Sequence, residues 1–240
     1  MLELEMIRDA EGFASLKQEW GELLADSSAN CIFLTWEWLF IWWKHLAGGR
    51  ELHILVLRRA DKLVAIAPLA VRPRQPGRLL PFRTLEFLGT GTVGSDYLDL
   101  IIRRGEEDDA LQALSVYLSS HKLVIEFTRV KTASVLIGRL VSKLNGEGWF
   151  SSQMIMGVCP YIDLSNHSWD SYLATLGAAH RANVRRRLRA VSKRFQVDFE
   201  QADSESQRRH CFQSFVDLHR QRWKQRDDID EMDVPGMWEF

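Results

Sequence analysis

Hydrophobic and polar positions alternate over residues 2–7, as expected for a short strand. Beyond Asp9, which can cap a helix, apolar side chains recur at helical spacing: Phe13, Leu16, Trp20 and Leu23. This spacing predicts an amphipathic helix that ends near Ser27 and Ser28. Thr35 can cap a second helix, on which one face is shared by Trp36, Phe40 and Trp43.

Apolar runs after residue 50 predict a β-sheet. The strand-like segments lie at 53–57, 62–71, 83–88, 97–102 and 123–127, with a hairpin turn at 59–61. The stretch 73–77 contains two prolines and a glycine and predicts a loop. Helices are expected at 106–119 and 132–144, and Asn145-Gly146 ends the second of them.

The pattern of strand and helix restarts after Cys159. Residues 149–164 have an extended pattern and include a predicted strand at 161–164. Three helices are expected: one opening at Ser168, a long basic helix over 178–195, and one from the capping box at 204–207 to about residue 226. A further strand is predicted at 197–200, between the second and third of these helices.

This order of elements predicts a mixed α/β fold, with a central mixed sheet flanked by helices. The first domain is expected over 1–157 and a second unit over 158–240. The second unit has only two predicted strands, and two strands form only a marginal sheet. The second unit therefore either packs on the first domain or is the opening part of a domain that continues beyond residue 240, and the second alternative is favoured.

Composition excludes several classes of protein. The 240 residues are 46% hydrophobic and 26% charged, with a formal net charge of −1, so no overall field favours nucleic acid or an anionic membrane. The three cysteines have neither disulfide-scaffold nor zinc spacing. The N-terminus lacks a signal-peptide pattern, and the most apolar stretch, 31–47, is interrupted by charge. We therefore expect a soluble cytoplasmic protein without a transmembrane segment.

Several short motifs, taken in their order along the chain, carry a family resemblance. They are Phe33–Trp38 with Trp42-Trp43, Leu63–Leu69, Leu85–Gly89, Ser95–Asp99, Pro160–Leu164, Arg181–Arg189 and Leu218–Trp223. Together they resemble the CelD-type acyltransferases of cellulose and exopolysaccharide biosynthesis, a tandem branch of the GNAT superfamily. The basic helix also looks like its counterpart in the peptidoglycan aminoacyltransferases, which share the tandem arrangement.

The resemblance implies two GNAT-like domains and direct acyl transfer from acyl-CoA, with acetyl-CoA or another acyl-CoA as co-substrate. In such a protein, backbone N–H groups at a helix N-terminus hold the CoA pyrophosphate. The corresponding loop of the first domain is 102–109, in which four consecutive acids, from Glu106 to Asp109, would repel an anion. The first domain is therefore expected to be a degenerate copy, and no residue of this chain is expected to bind CoA.

The glycine-rich segment Gly89–Gly94 satisfies the spacing of a dinucleotide fingerprint, but a strand-like stretch rather than a helix follows it. A loop is favoured over a nucleotide site. This loop, with Asp96, Tyr97 and Asp99, either lines a substrate cleft or satisfies its own backbone, and the residues do not separate these alternatives.

The basic helix at 178–195 is the strongest local signal. Arg181, Arg185, Arg189 and Lys193 form one row, and Arg186 adds charge beside it. Because like charges at this spacing repel, the helix gains stability when it meets an anion. A phosphorylated or carboxylated acceptor, such as a nucleotide-linked sugar, would suit arginine. A solvated face is the alternative.

Trp36 and its neighbouring tryptophans occupy more than one helical face. Packing is favoured for them over a stacking platform for a sugar or acyl chain. His45 and His219 are expected to be structural rather than catalytic. No catalytic residue and no metal site is identified.

The sequence thus predicts acyl transfer to an amine or hydroxyl of a polar metabolite or saccharide precursor, with this chain contributing the acceptor side of the cleft and inactive alone. The alternative is a non-catalytic assembly module of a polysaccharide biosynthesis system. A nucleic-acid-binding regulator is disfavoured by the near-zero net charge, and the oligomeric state is not predicted.

Overall fold

The computed structural model describes residues 2–73, 83–91, 94–121, 123–223 and 234–240. The chain divides into two compact units. Unit 1 comprises Met1–Met154 and Ile229–Phe240, and unit 2 comprises Ile155–Asp228. The sequence-based boundary at 157/158 lies near the first of these divisions, whereas the described residues 234–240 are grouped with unit 1.

Unit 1 begins with a strand and three helices: β1 (Leu2–Ile7), α1 (Ala10–Ser15), α2 (Lys17–Ala25) and α3 (Trp36–Leu46). Asp9 caps α1 through Gly12 N, and Thr35 caps α3 through Trp38 N, as predicted. The single helix expected after Asp9 is instead two helices that meet at Leu16 and end at Ala25. Phe13 and Trp20 are completely buried, which confirms the apolar face predicted for this region.

The strands that follow are short. They are β2 (Glu51–Leu52), β3 (Ile54–Arg59), β4 (Lys62–Ala67), β5 (Leu69–Val71), β6 (Arg83–Phe87), β7 (Ile101–Ile102) and β8 (Leu123–Ile125). Helix α4 (Glu107–Ser119) lies between β7 and β8, and α5 (Val135–Gly146) follows β8. The predicted end of α5 at Asn145-Gly146 is confirmed.

Two four-stranded sheets form the centre of unit 1, where the sequence predicted one. Sheet order is β1-β3-β4-β7, entirely antiparallel, and β2-β5-β6-β8, in which β6 and β8 are parallel. Only His53 separates β2 from β3, and only Pro68 separates β4 from β5. A hydrogen bond from His53 N to Leu69 O (3.0 Å) carries the pairing across this break. The predicted mixed α/β class is confirmed to the extent that the protein contains both helices and β-sheets.

Two predicted strands of unit 1 are shorter than expected. Only Ile101–Ile102 of the stretch 97–102 is a strand, and the left-handed backbone of Tyr97 (φ 60°) excludes that residue from it. The strand at 123–127 ends at Ile125, and its side chains are partly exposed. Most of the loop predicted at 73–77 lies outside the described residues.

Unit 2 contains α6 (Trp169–Thr175), α7 (Ala178–Arg194) and α8 (Glu205–Trp223). Ser168 caps α6, and the Ser204–Gln207 capping box is confirmed by its two reciprocal hydrogen bonds. The strands predicted at 161–164 and 197–200 are wrong, since no strand occurs within 155–223. Those residues are exposed and find no ladder partner there, and apolar composition alone does not hold a strand. The predicted end of the last helix near 226 lies outside the described residues.

Among the helices described above, none is both long and apolar enough to cross a membrane.

Candidate functional site

The loop residues predicted to line a cleft each have an intramolecular partner. Asp99 Oδ2 accepts from Ser134 Oγ (2.7 Å) and Oδ1 accepts from Leu100 N (2.8 Å), while burial raises the pKa of Asp99. Asp96 lies 3.7 Å from Arg129, and Tyr97 stays partly exposed beneath Lys131, whose Nζ is 4.5 Å from the ring centroid. Most of these contacts join the loop to residues 129–134. None of the three residues lines either of the two cavities described below.

Trp36 also has its polar and aromatic contacts within unit 1. Its Nε1 donates to Phe13 O (2.9 Å), and its ring stacks on Phe40 with a centroid distance of 4.3 Å. Lys17 Nζ lies 4.7 Å from the Trp36 centroid on the solvent side. These contacts favour packing over a stacking platform for a ligand, the interpretation also favoured from the sequence.

The N-terminus of α4, where the resemblance places a CoA loop, is occupied by its own acids. Gly105 N donates to Glu107 Oε2 (2.8 Å), and Arg59 donates to both Glu106 (2.6 Å) and Asp109 (2.7 Å). Arg103 donates to Asp26 (2.7 Å). A phosphate at this helix end would therefore have to displace a carboxylate from a backbone amide and from an arginine.

Most of the basic row predicted on α7 faces solvent in unit 2. Arg181 donates to the carbonyls of Ala174 (3.3 Å) and Leu176 (3.4 Å) and so closes the end of α6. Arg186 and Arg189 make only bonds within the helix, to Asn183 Oδ1 and Arg185 O. Within the described part of the chain, no carboxylate forms an ion pair with any residue of α7.

Helical geometry places the charges of α7 on two separate flanks. At 100° per residue, Arg185, Arg189 and Lys193 follow one line on the helix. The apolar side chains Val184, Leu188, Val191 and Phe195 lie beside that line, and Arg187 and Arg194 lie on their other side. Over residues 155–223, eleven Lys and Arg oppose seven Asp and Glu, which gives a net charge of +4 in a chain whose total is −1. Unit 2 is thus the electropositive part of the protein.

A cavity of about 340 Å³ in unit 1 was not predicted from the sequence. It opens beside the break between the two sheets and is lined mainly by polar side chains. The lining comprises Arg8, Glu51, Leu52, His53, Val71, Arg83, Tyr117, His121 and Leu123. The phenol oxygen of Tyr117 lies 3.1 Å from Nε2 of His53 and 3.5 Å from Sδ of Met6.

The electrostatics of this cavity keep His53 uncharged. Burial lowers the pKa of His53 to about 4, and repulsion from Arg8, Arg83 and His121 adds to the effect. At neutral pH the Nε2 atom of His53 can therefore accept the proton of the Tyr117 phenol. Burial likewise raises the pKa of Tyr117, although Arg8 opposes this, so the phenol keeps its proton. The pair forms a neutral hydrogen-bonding group among cationic side chains.

A second cavity of about 320 Å³ is lined by Arg50, Arg72 and Glu86, together with Thr90 and Gly91 of the glycine-rich loop. The side chain of Glu86 is only 2% exposed, and it accepts hydrogen bonds from both arginines. Arg72 also donates to Glu126 (2.9 Å). Two carboxylates, Glu86 and Glu126, thus balance the two arginines, so this cavity offers no net charge to a ligand.

Sequence reasoning missed His53, Tyr117 and His121 because no local motif links them. His53 interrupts an apolar run, and it lies 64 positions before Tyr117. Only the packing of α4 beside the strands brings their side chains together. The one available signal in the sequence was His53, a polar residue inside a run that predicts a strand.

Among the residues that the structure describes, no group of three or more His, Cys, Asp or Glu side chains could hold a metal ion. Comparison with protein-family models, with curated protein sequences and with solved structures finds no match to this chain.

Proposed function

We propose that this chain is the acceptor-binding part of an acyl-CoA-dependent acyltransferase, which acts in the cytoplasm on a polar metabolite or saccharide precursor. The observation that carries the proposal is the exposed row of Arg185, Arg189 and Lys193 on α7, which meets no carboxylate among the described residues. An anionic group on the acceptor, such as the phosphates of a nucleotide-linked sugar, complements that row.

The order of elements in unit 1 supports the class of reaction. A strand and three helices come first, and β3 and β4 form an antiparallel hairpin ahead of β7 and α4. This mixed order of helices and strands fits the mixed α/β domain that the resemblance to GNAT acyltransferases implies. The acids at the start of α4 support the assignment of acyl-CoA binding to residues other than this helix end.

A non-catalytic assembly module is the second candidate, favoured by the exposed apolar side chains of unit 2. Phe199 is 96% exposed and Tyr161 is 85% exposed, and Phe195 and Leu188 extend along α7. Apolar surface of this kind is typical of regions that other protein surfaces cover. Under this alternative, α7 docks a partner protein and no small anion binds.

Calorimetric titration of UDP-glucose and of acetyl-CoA into the 240-residue chain tests the proposal. The test variant is Arg185→Glu/Arg189→Glu, and the matched control is Arg187→Glu/Arg194→Glu, which makes the same charge change on the other flank of α7. Because each lost arginine contact to a phosphate is worth about 1.5–3 kcal/mol, we expect UDP-glucose affinity to fall at least tenfold in the test variant alone.

The other outcomes separate the alternatives. Acetyl-CoA binding that the test variant removes would assign the row to the donor instead of the acceptor. Acetyl-CoA binding that Glu107→Gln strengthens would place the donor at the N-terminus of α4 and overturn the expectation of a degenerate first domain. Binding of neither compound would favour the assembly module.

A further inference from the structure

The cavity beside His53 has more positive than negative groups on its walls. Arg8 and Arg83 are permanently charged, and Glu51 is the one carboxylate in the lining. Glu51 is hydrogen-bonded to Arg83, so it neutralises that residue in part. Arg8 forms no ion pair with any described residue, and its one hydrogen bond goes to the sulfur of Met6, a weak acceptor.

Tyr117 on α4 and His121 just beyond its end are both held by hydrogen bonds at the cavity. His121 Nδ1 lies 2.7 Å from Tyr117 O, and since a carbonyl only accepts, Nδ1 carries the proton. This contact fixes the ring and leaves Nε2 of His121 without a described partner. The Tyr117 phenol lies between His53 and Met6, and its hydroxyl can also turn to a ligand.

We propose that this cavity binds a small oxyanion, a carboxylate or phosphate, with its charge between Arg8 and Arg83 and a hydroxyl or carbonyl group of the ligand on Tyr117 and His53. The volume of about 340 Å³ lies at the small end of ligand sites and suits a metabolite rather than a polymer. Arginine recognises both oxyanions through paired N–H donors.

The proposal is independent of the acyltransferase function. It concerns a cavity of unit 1 that is lined by β2, β5, β6, β8, α4 and residues beside them, whereas the proposed function rests on α7. If UDP-glucose and acetyl-CoA do not bind, the proposed anion site is unaffected. If no anion binds in this cavity, the proposed acyltransferase function is unaffected.

Titration with inorganic phosphate and, separately, with malate tests the inference, with sodium chloride added to hold the ionic strength constant. Heat of binding gives the affinity, and the histidine ring resonances of the full chain report whether the anion is at His53. A bound anion beside the imidazole should raise the pKa of His53 from about 4.

The variant Arg8→Gln should weaken binding about ten- to hundredfold, because it removes a charged donor to the anion. In the free protein this arginine donates only to the weak acceptor Met6 among the described residues. Arg139→Gln is the matched control, since Arg139 pairs with Asp108 elsewhere on the surface. Arg83→Gln is a second test variant with the same expectation.

Binding of phosphate alone would identify a phosphorylated ligand, and binding of malate alone a carboxylic acid. The inference is overturned if neither probe binds, if the His53 resonances do not move on saturation, or if Arg8→Gln and Arg139→Gln bind equally well.

Discussion

Tyr117 on α4 and His53 at the break between the sheets place their polar atoms 3.1 Å apart, across 64 positions of sequence. Replacement Tyr117→Phe removes the hydroxyl and leaves Nε2 of a buried imidazole without this partner. We expect the free energy of unfolding to fall by about 1–2 kcal/mol, the usual cost of losing a buried hydrogen bond. Urea denaturation followed by circular dichroism measures it.

Tyr161→Phe is the control for the loss of a phenol hydroxyl, since Tyr161 is 85% exposed. If both variants lose the same stability, the contact between Tyr117 and His53 contributes nothing.

The lowered pKa of His53 makes unit 1 less stable in mild acid. In the unfolded chain the imidazole binds a proton below about pH 6.5, whereas in the folded chain it does so only below about pH 4. The unfolded state therefore holds more protons between these values, and stability is lost as the pH falls through that window. From pH 7 to pH 5 the loss due to His53 should be about 2 kcal/mol.

Denaturation at both pH values compares the wild type with His53→Gln. The titratable and charged groups around His53 are Arg8, Glu51, Arg83, Tyr117 and His121, and the variant leaves all of them in place. The variant should show a smaller loss than the wild type, and equal losses would mean that His53 titrates alike in both states.

The carboxylate of Glu86 is buried and accepts hydrogen bonds from two arginines. Replacement Glu86→Gln leaves Arg50 without its carboxylate and leaves Arg72 with Glu126 alone. Removing one partner from a buried ion pair costs about 3–5 kcal/mol, so we expect a loss near that range in chemical denaturation.

The matched control is Glu126→Gln, which removes the other carboxylate on Arg72. Its side chain is 49% exposed, and exposed pairs are worth about 0–1 kcal/mol. A loss at Glu86 no larger than at Glu126 would contradict a buried charge network.

Gly236 lies where a side chain cannot fit. A Cβ atom there would collide with the backbone oxygen of His45, so Gly236→Ala should displace residues 234–240 from α3. Phe240, whose ring lies 4.8 Å from that of Trp38, would lose this contact. Hydrogen exchange should show faster exchange of the backbone amides of 234–240.

Gly148→Ala is a close control for Gly236→Ala. Gly148 has φ 90° against 86° for Gly236, and nothing lies within 4 Å of its added Cβ. The backbone strain is thus alike in the two variants, and only the contact with His45 differs. Faster exchange at 234–240 in both variants would mean that the contact with His45 is not its cause.

The sequence by itself determined the elements whose causes are local. Asp9, Thr35 and the Ser204–Gln207 box cap helices within three residues of themselves, so their roles follow from the sequence alone. Helical period predicts the burial of Phe13 and Trp20, although they lie on two helices and not on one. The same period places Arg185, Arg189 and Lys193 in one row on α7.

Tertiary structure decided where strands form and which side chains meet. Residues 161–164 are apolar enough for a strand, but a strand needs a neighbour to accept its hydrogen bonds, and no local rule supplies one. The neutral pair of His53 and Tyr117 likewise depends on the packing of α4 beside the break between the sheets. Burial and neighbouring charge set its chemistry, and both arise only when distant segments are brought together.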